Sequence, residues 1–161
     1  MKTLLTYLLI FISLVAIGQT RADSLWAVWL DESNDPYERL EAIKEYASVE
    51  LVRTHPDSAY EVAQLQYEFA LQIGDINYQA SALSIQGNAL RLEGNPSRAV
   101  QLFFQSNNLY EQSDDQAGIA DNYHLIGGVY FEQKNNDKAV EFMEKSLDIR
   151  IEIGDEFKIA R

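Results

Sequence analysis

The stretch DINYQASALSIQGNALRLEGNPSRAVQLFFQSNNLYEQSDD, residues 75–115, is the unit from which this chain is built. Shifting it by forty positions in either direction lays small, apolar and capping residues on their own kind. Ala59, Ala99 and Ala139 coincide, as do Asp75, Asp115 and Asp155, and Ala80, Ala120 and Ala160. Two amphipathic segments run within the unit, 76–93 and 96–113. Self-similarity at such a period marks a solenoid of stacked helical hairpins, in which each unit buries its apolar face only against its neighbours.

The second segment of each unit has an apolar stripe of helical period. It is Val62, Ala63, Phe69 and Ile73 in the first copy, Leu102, Phe103, Ser106 and Leu109 in the second, and Phe142, Met143, Ser146 and Ile149 in the third. The three stripes are expected to pack alike. Units meet at Ile73-Gly74-Asp75 and Ile153-Gly154-Asp155, where glycine can take the left-handed conformation that ends one helix and Asp can cap the next. At the middle junction Asp114 replaces the glycine, so that turn is expected to differ in backbone. Within units, Gly94-Asn95-Pro96 and Asn135-Asn136-Asp137 stop one helix and start another. Connections this short make consecutive helices antiparallel neighbours.

Upstream, Asp35 reads as an N-cap with Pro36 at the first helical position and Glu38 at the third, opening a helix to about Arg53. His55 falls in the following turn. Asp23–Leu30 reads as a short helix capped by Asp23 or Ser24, with Leu25, Val28 and Trp29 on one face. Its expected role is to cover the bare end of the array; an exposed patch at Trp26 and Trp29 is the alternative. Residues 1–18 have the layout of a secretory signal: Lys2, an apolar run from Leu4 to Ile17, then Ala16-Ile17-Gly18 as a small-x-small cleavage site. The run falls short of the roughly 20 residues that span a bilayer. Cleavage near Gly18-Gln19 and a periplasmic or extracellular location are therefore expected.

The net charge is −12 and becomes −13 without residues 1–18, whose only charge is Lys2. That balance speaks against nucleic acid or an anionic membrane surface as partner, since both require Lys/Arg neutralisation. The absence of cysteine rules out disulfides, a thiol nucleophile, a lipid-attachment cysteine and a Cys-based zinc site. His55 and His124 are too far apart to suggest a metal site. No GxSxG, P-loop, HExxH or Gly-rich dinucleotide turn occurs, and no residue is assigned a catalytic, cofactor or metal role.

Aligned on its small residues, the unit resembles the tetratricopeptide repeat (TPR). The middle copy offers Ala80, Leu83, Gly87, Leu90, Gly94, Ala99, Phe103 and Ser106. The third offers Ala120, Tyr123, Ile126, Gly127, Tyr130, Ala139, Met143 and Ser146, with Lys134 in place of the usual turn glycine. In the first, Ile43, Tyr46, Ala47, Ala59 and Ala63 fit, while Glu50 and Gln66 depart from the pattern. The resemblance implies an all-α superhelix of antiparallel hairpins, covering about 36–75, 76–115 and 116–155. Residues 19–35 precede it as cap helix and linker, and 156–161 begin a further, incomplete repeat. A forty-residue repeat behind a signal segment also resembles the exported sensory regions of bacterial TPR proteins. In those, a histidine kinase, nucleotide cyclase or transcription regulator often follows. A regulatory fragment whose output domain lies beyond Arg161 is accordingly the alternative to a free-standing scaffold.

In TPR proteins the first helices line a groove for a peptide or partner helix. By resemblance, the groove here comprises Ser84, Asn88, Arg91, Asp121, His124 and Phe131, with Ser81, Leu92, Gly128 and Glu132 beside them and Glu41, Lys44 and Ser48 from the first copy. The expected partner is a protein or peptide. Self-association through the C-terminal hairpin is a further expectation and predicts a dimer. The small residues Gly87, Ala99, Gly127 and Ala139 set the helix crossings. Replacing Ala99 by Phe is expected to cost about 1–3 kcal/mol through overpacking; thermal unfolding without loss of stability would exclude this register.

Overall fold

The computed structural model describes residues 20–155. The expected signal segment and cleavage site, and the stretch 156–161, lie outside the described residues. Among those described, every regular element is a helix: α1 Arg21–Leu30, α2 Pro36–Glu45 with a π-helical continuation Tyr46–Leu51, α3 Pro56–Ile73, α4 Ile76–Leu92, α5 Pro96–Gln112, α6 Gln116–Glu132 and α7 Asn136–Glu152. Helices α4 to α7 each have 17 residues. Three-residue turns separate them, so two helices and two turns account for the forty-residue spacing. The hairpins are α2 with α3, α4 with α5, and α6 with α7.

The small residues stand where the axes come closest. A Cβ at Gly87 would lie 2.8 Å from the Phe103 ring and 3.2 Å from the Ala99 carbonyl oxygen. One at Gly127 would lie 2.8 Å from Met143 Cγ and 3.2 Å from the Ala139 carbonyl oxygen. Ala99, Phe103, Ser106, Ala139 and Ser146 are all buried. The larger core cluster joins Leu90, Ala99, Phe103, Ile126, Val129 and Phe142, so the second and third hairpins share one apolar interior. The three stripes do not pack alike, however. Met143 is 38% exposed, whereas its counterpart Phe103 is wholly buried, because α6 covers α5 and no described helix covers α7.

The first helix covers the open end, as its apolar face predicts. Trp26 and Trp29 pack on the cluster of Ile43, Ala47, Val62, Ala63 and Ile85. Arg39 is held between the rings of Trp29 and Phe69, at 5.0 and 4.7 Å from their centroids, and its Nε donates to the Trp29 carbonyl. The N-cap is Thr20, not Asp23 or Ser24. Asp23 works from the third helical position, its carboxylate accepting the Thr20 N–H while Thr20 Oγ1 accepts the Asp23 N–H. At the second helix Asp35 does cap, through the Tyr37 N–H, but the regular helix ends at Glu45 and its last turns widen into the π-helical segment.

The middle junction is the second correction. Asp114 adopts φ 58°, beside 77° at Gly74 and 70° at Gly154. The same closing bond forms each time: the N–H of Asp75, Asp115 and Asp155 donates to the carbonyl five residues earlier, at 2.9 Å. Packing of the following helix thus imposes one turn geometry on all junctions, and Asp114 bears the strain rather than rearranging the loop. Lys134 does likewise at φ 60°, opposite Gly94 at 80°. Asx side chains tolerate this region better than lysine does. Lys134→Gly is therefore expected to raise stability by roughly 0.5–1 kcal/mol after the entropy glycine adds to the unfolded chain, and Asp114→Gly by less. Thermal melts of the two variants check both the sign and the order.

Candidate functional site

The first helices α2, α4 and α6 lie side by side, sharing apolar clusters on their inner sides and linked by polar side chains as well. Between α2 and α4, the Tyr78 hydroxyl donates to Glu41 at 2.9 Å, and Lys44 reaches Glu41 at 2.6 Å while lying 5.5 Å from the Tyr78 ring centroid. Burial opposes the Glu41 carboxylate, but hydrogen bonds from Lys44 and Tyr78 outweigh it and hold its pKa below the usual range. Burial, then the bond to Glu41 and its charge, push the Tyr78 hydroxyl up to about 12. A cavity of about 170 Å³ opens beside this group, lined by Lys44, Asn77, Tyr78, Ser81, Tyr110 and Asp115. Burial, followed by the charges of Asp115 and Asp121, raises Tyr110 further still.

Between α4 and α6 the links are a hydrogen bond and an ion pair. Ser84 Oγ donates to Asn122 Oδ1 at 2.6 Å. Arg91 donates through Nε and Nη2 to Asn88 Oδ1, at 3.1 and 2.8 Å, and its Nη1 pairs with Glu132. Of the six residues expected to form the groove, Asn88 and Arg91 therefore act together, with the Arg91 side chain only 18% exposed. His124 is exposed and Phe131 is 64% exposed about two turns further along α6. Ser84 and Asp121 are placed differently from expectation. The Ser84 hydroxyl is half-buried and engaged by Asn122, and Asp121 is ion-paired with Arg150 at 2.8 Å. Arg150 in turn donates to Ser146 at 3.2 Å.

The residue that reading the sequence overlooked is Asn122. It is wholly buried, and its Nδ2 lies 2.8 Å from Ser106 Oγ, 2.8 Å from Asn107 Oδ1 and 3.4 Å from the Phe103 carbonyl oxygen. Ser106 itself donates to the Ala80 carbonyl at 2.7 Å. One amide thus fastens α6 to both α4 and α5. A signal was present: the forty-residue column reads Ala42, Ala82, Asn122, a polar residue where the other copies have buried alanine. Two buried polar atoms have no partner among the described residues, Gln66 Oε1 and Asn107 Nδ2. Gln66 stands where the other copies have Ser106 and Ser146, and its Nε2 donates forward to the Tyr78 carbonyl instead.

A larger recess of about 440 Å³ lies on another side, where Asp57, Ser58, Tyr60 and Glu61 of α3 approach Leu90, Glu93 and Arg98. Among the described residues no group of three or more His, Asp or Glu side chains is arranged to hold a metal ion. No described helix is long and apolar enough to cross a membrane.

Residues 78–152 match the family model for the tetratricopeptide repeat. The crystal structure of the TPR domain of Arabidopsis FLU aligns with a TM-score of 0.62 at 21% identity, covering 74% of this chain and 99% of that one. At that identity the likeness establishes the solenoid fold. No curated protein matches the chain. TPR folds are in general scaffolds for protein–protein interaction rather than catalysts. Asn122→Ala, which restores the residue found at 42 and 82, is expected to cost about 1–3 kcal/mol because Asn107 and Ser84 lose their buried partner. Urea unfolding measures it, and an unchanged midpoint would remove Asn122 from this role.

Proposed function

We propose that the face formed by α2, α4 and α6 binds an extended peptide or a helix of a partner protein, making this chain an interaction scaffold. The observation that carries the reading is the Asn88–Arg91–Glu132 group beside the exposed ring of Phe131. Of the five N–H donors of a guanidinium, three are used by Asn88 and Glu132, so two remain for a partner's carboxylate or carbonyl groups. The Asn88 amide nitrogen is available to a peptide carbonyl, since its oxygen is the atom engaged by Arg91. Phe131 supplies apolar area next to this polar fork, and His124 lies on the same helix. Neither Ser84 nor Asp121 is a principal contact in this reading, because each already serves a neighbouring helix.

The secretory layout of residues 1–18 supports placing this activity outside the cytoplasm, and the acidic balance of the chain supports a partner that is not nucleic acid. A regulatory role within a larger signalling protein is the second reading. It is favoured by the turn at Gly154 and Asp155, which has the same left-handed φ and closing bond as the turns leading into α4 and α6. Reading the coding frame past Arg161 separates the two: a kinase, cyclase or regulator domain supports regulation, and a stop codon excludes it.

Peptides selected from a displayed random library on the full chain test the binding face. By fluorescence anisotropy, Asn88→Ala and Arg91→Ala are each expected to weaken such peptides about tenfold, or roughly 1.4 kcal/mol. Glu111→Ala, on the exposed side of α5, should leave them unchanged. Selected peptides that bind all three variants like the parent protein would refute the reading.

A further inference from the structure

The cavity of about 170 Å³ lies in the middle of the array, walled by α2, α4, α5 and the turn into α6, and takes no part in the group at Asn88 and Arg91. Its volume is that of roughly five or six water molecules, which is the size of one short side chain. Tyr110 lines it at 9% exposure, with Lys44, Tyr78, Ser81 and Asp115 half-buried around it. The lining leaves hydrogen-bonding capacity of both kinds unspent. Lys44 uses one of its three N–H donors on Glu41, and Asn77 accepts from the Ser113 hydroxyl with its oxygen but keeps both N–H groups. Asp115 spends one carboxylate oxygen on the Gly118 N–H at 2.9 Å, and the other accepts no bond among the described residues.

Forty residues on, the chain supplies its own occupant. The positions of Ser81, Tyr110 and Asp115 become Asp121, Arg150 and Asp155. There the Arg150 guanidinium, on a residue 8% exposed, donates to Asp121 at 2.8 Å and lies 3.9 Å from Asp155. Nitrogen donors thus answer the carboxylate that corresponds to Asp115. In the cavity two exchanges alter what is required: Ser81 removes one of the two carboxylates, and Lys44 places an ammonium where the later copy has Ser84. That ammonium is matched by Glu41 at 2.6 Å, and the N-terminus of α6 offsets the charge of Asp115, its cap. Since no charge of one sign is left over, a bound ion would give up its water without gaining a counter-ion. A neutral group with N–H donors and an acceptor oxygen satisfies both sets of partners, and a carboxamide is such a group.

We propose that this cavity receives the side-chain carboxamide of a glutamine or asparagine in the bound peptide, its NH2 facing Asp115 and its oxygen facing Lys44 and Asn77. The proposal rests on the reading that the face of α2, α4 and α6 binds a peptide. Ser81, Ser84, Asn88 and Arg91 follow one another at three- or four-residue spacing and so share a face of α4. From Ser81 to Asn88 and Arg91 is about 10 and 15 Å along the axis, which roughly three to five extended residues span. One peptide reaches both places.

The test titrates the isotope-labelled full chain with the N-acetyl amides of glutamine, glutamate, lysine, arginine and methionine, following the Ser81, Asp115 and Gly118 backbone signals by NMR. The glutamine form is expected to saturate these signals and the other four to bind about tenfold more weakly. Lys44→Met combined with Asn77→Ala should bring glutamine down to the level of methionine with the melting curve retained. Ser81→Asp, which restores the second carboxylate, should turn the preference to arginine. Peptides selected on the parent chain should carry a glutamine or asparagine whose change to glutamate or methionine costs about tenfold in the parent and nothing in the double variant. Equal binding of the five amides, or binding of none, would overturn the proposal, while peptides that still depend on Arg91 would leave the binding face standing. Peptides indifferent to Arg91 refute that face instead. A glutamine amide that saturates the cavity in that case identifies a free amide as the occupant and overturns the peptide as its source.

Discussion

The approach of two helix axes at Gly87 and Ala99, repeated at Gly127 and Ala139, is the constraint from which the remaining architecture follows. With no room for a Cβ at either glycine, the paired helices come close enough for a serine on the second helix to reach a backbone carbonyl on the first. Ser106 does so to Ala80 and Ser146 to Ala120, both at 2.7 Å. A buried hydroxyl bonded to the second lone pair of a carbonyl inside the neighbouring helix costs little and fixes the hairpin along its length as well as in its spacing. Small residues alone would let the helices slide; the hydroxyl sets the register.

Size is then exchanged across the joints between hairpins instead of being held constant. At the first joint the repeat columns hold Tyr78 on α4 and Ala70 on α3; at the second, they hold Gly118 and Tyr110. A Cβ at Gly118 would fall 2.6 Å from the Tyr110 ring, so the bulk has moved from the first helix of one unit to the second helix of the other. The two tyrosines still do comparable work, each a half-buried or buried hydroxyl near carboxylates that raise its pKa.

This explains which parts of the molecule were legible in the sequence. Positions that face a neighbour within the same unit repeat at forty residues, so Gly87, Ala99, Ser106 and their counterparts announce the hairpin directly. Turn chemistry was legible in type but not in detail. Asp114 and Lys134 adopt the left-handed conformation because helix packing on both sides outweighs a local penalty on the order of 1 kcal/mol. The joint between units was the least legible, since its contacts pair one copy with the next and need no identity between columns. Asn122 is the case in point: it replaces an alanine, and its partners lie 15 to 38 residues away. The bond from Ser84 to Asn122 was hidden for the same reason, since it joins one copy to the next.

The same distinction bears on the binding surfaces. Within the array, successive first helices add polar pairs to the apolar clusters they share: Glu41 with Tyr78, Ser84 with Asn122, Arg91 with Glu132. Directional bonds of this kind reward one register and penalise any neighbour that leaves a buried donor unmet. At α7 Asn107 gives way to Leu147, and at α6 Arg91 gives way to Phe131. Apolar contact is less exacting about register, because dispersion and burial depend on area rather than on matching donors to acceptors.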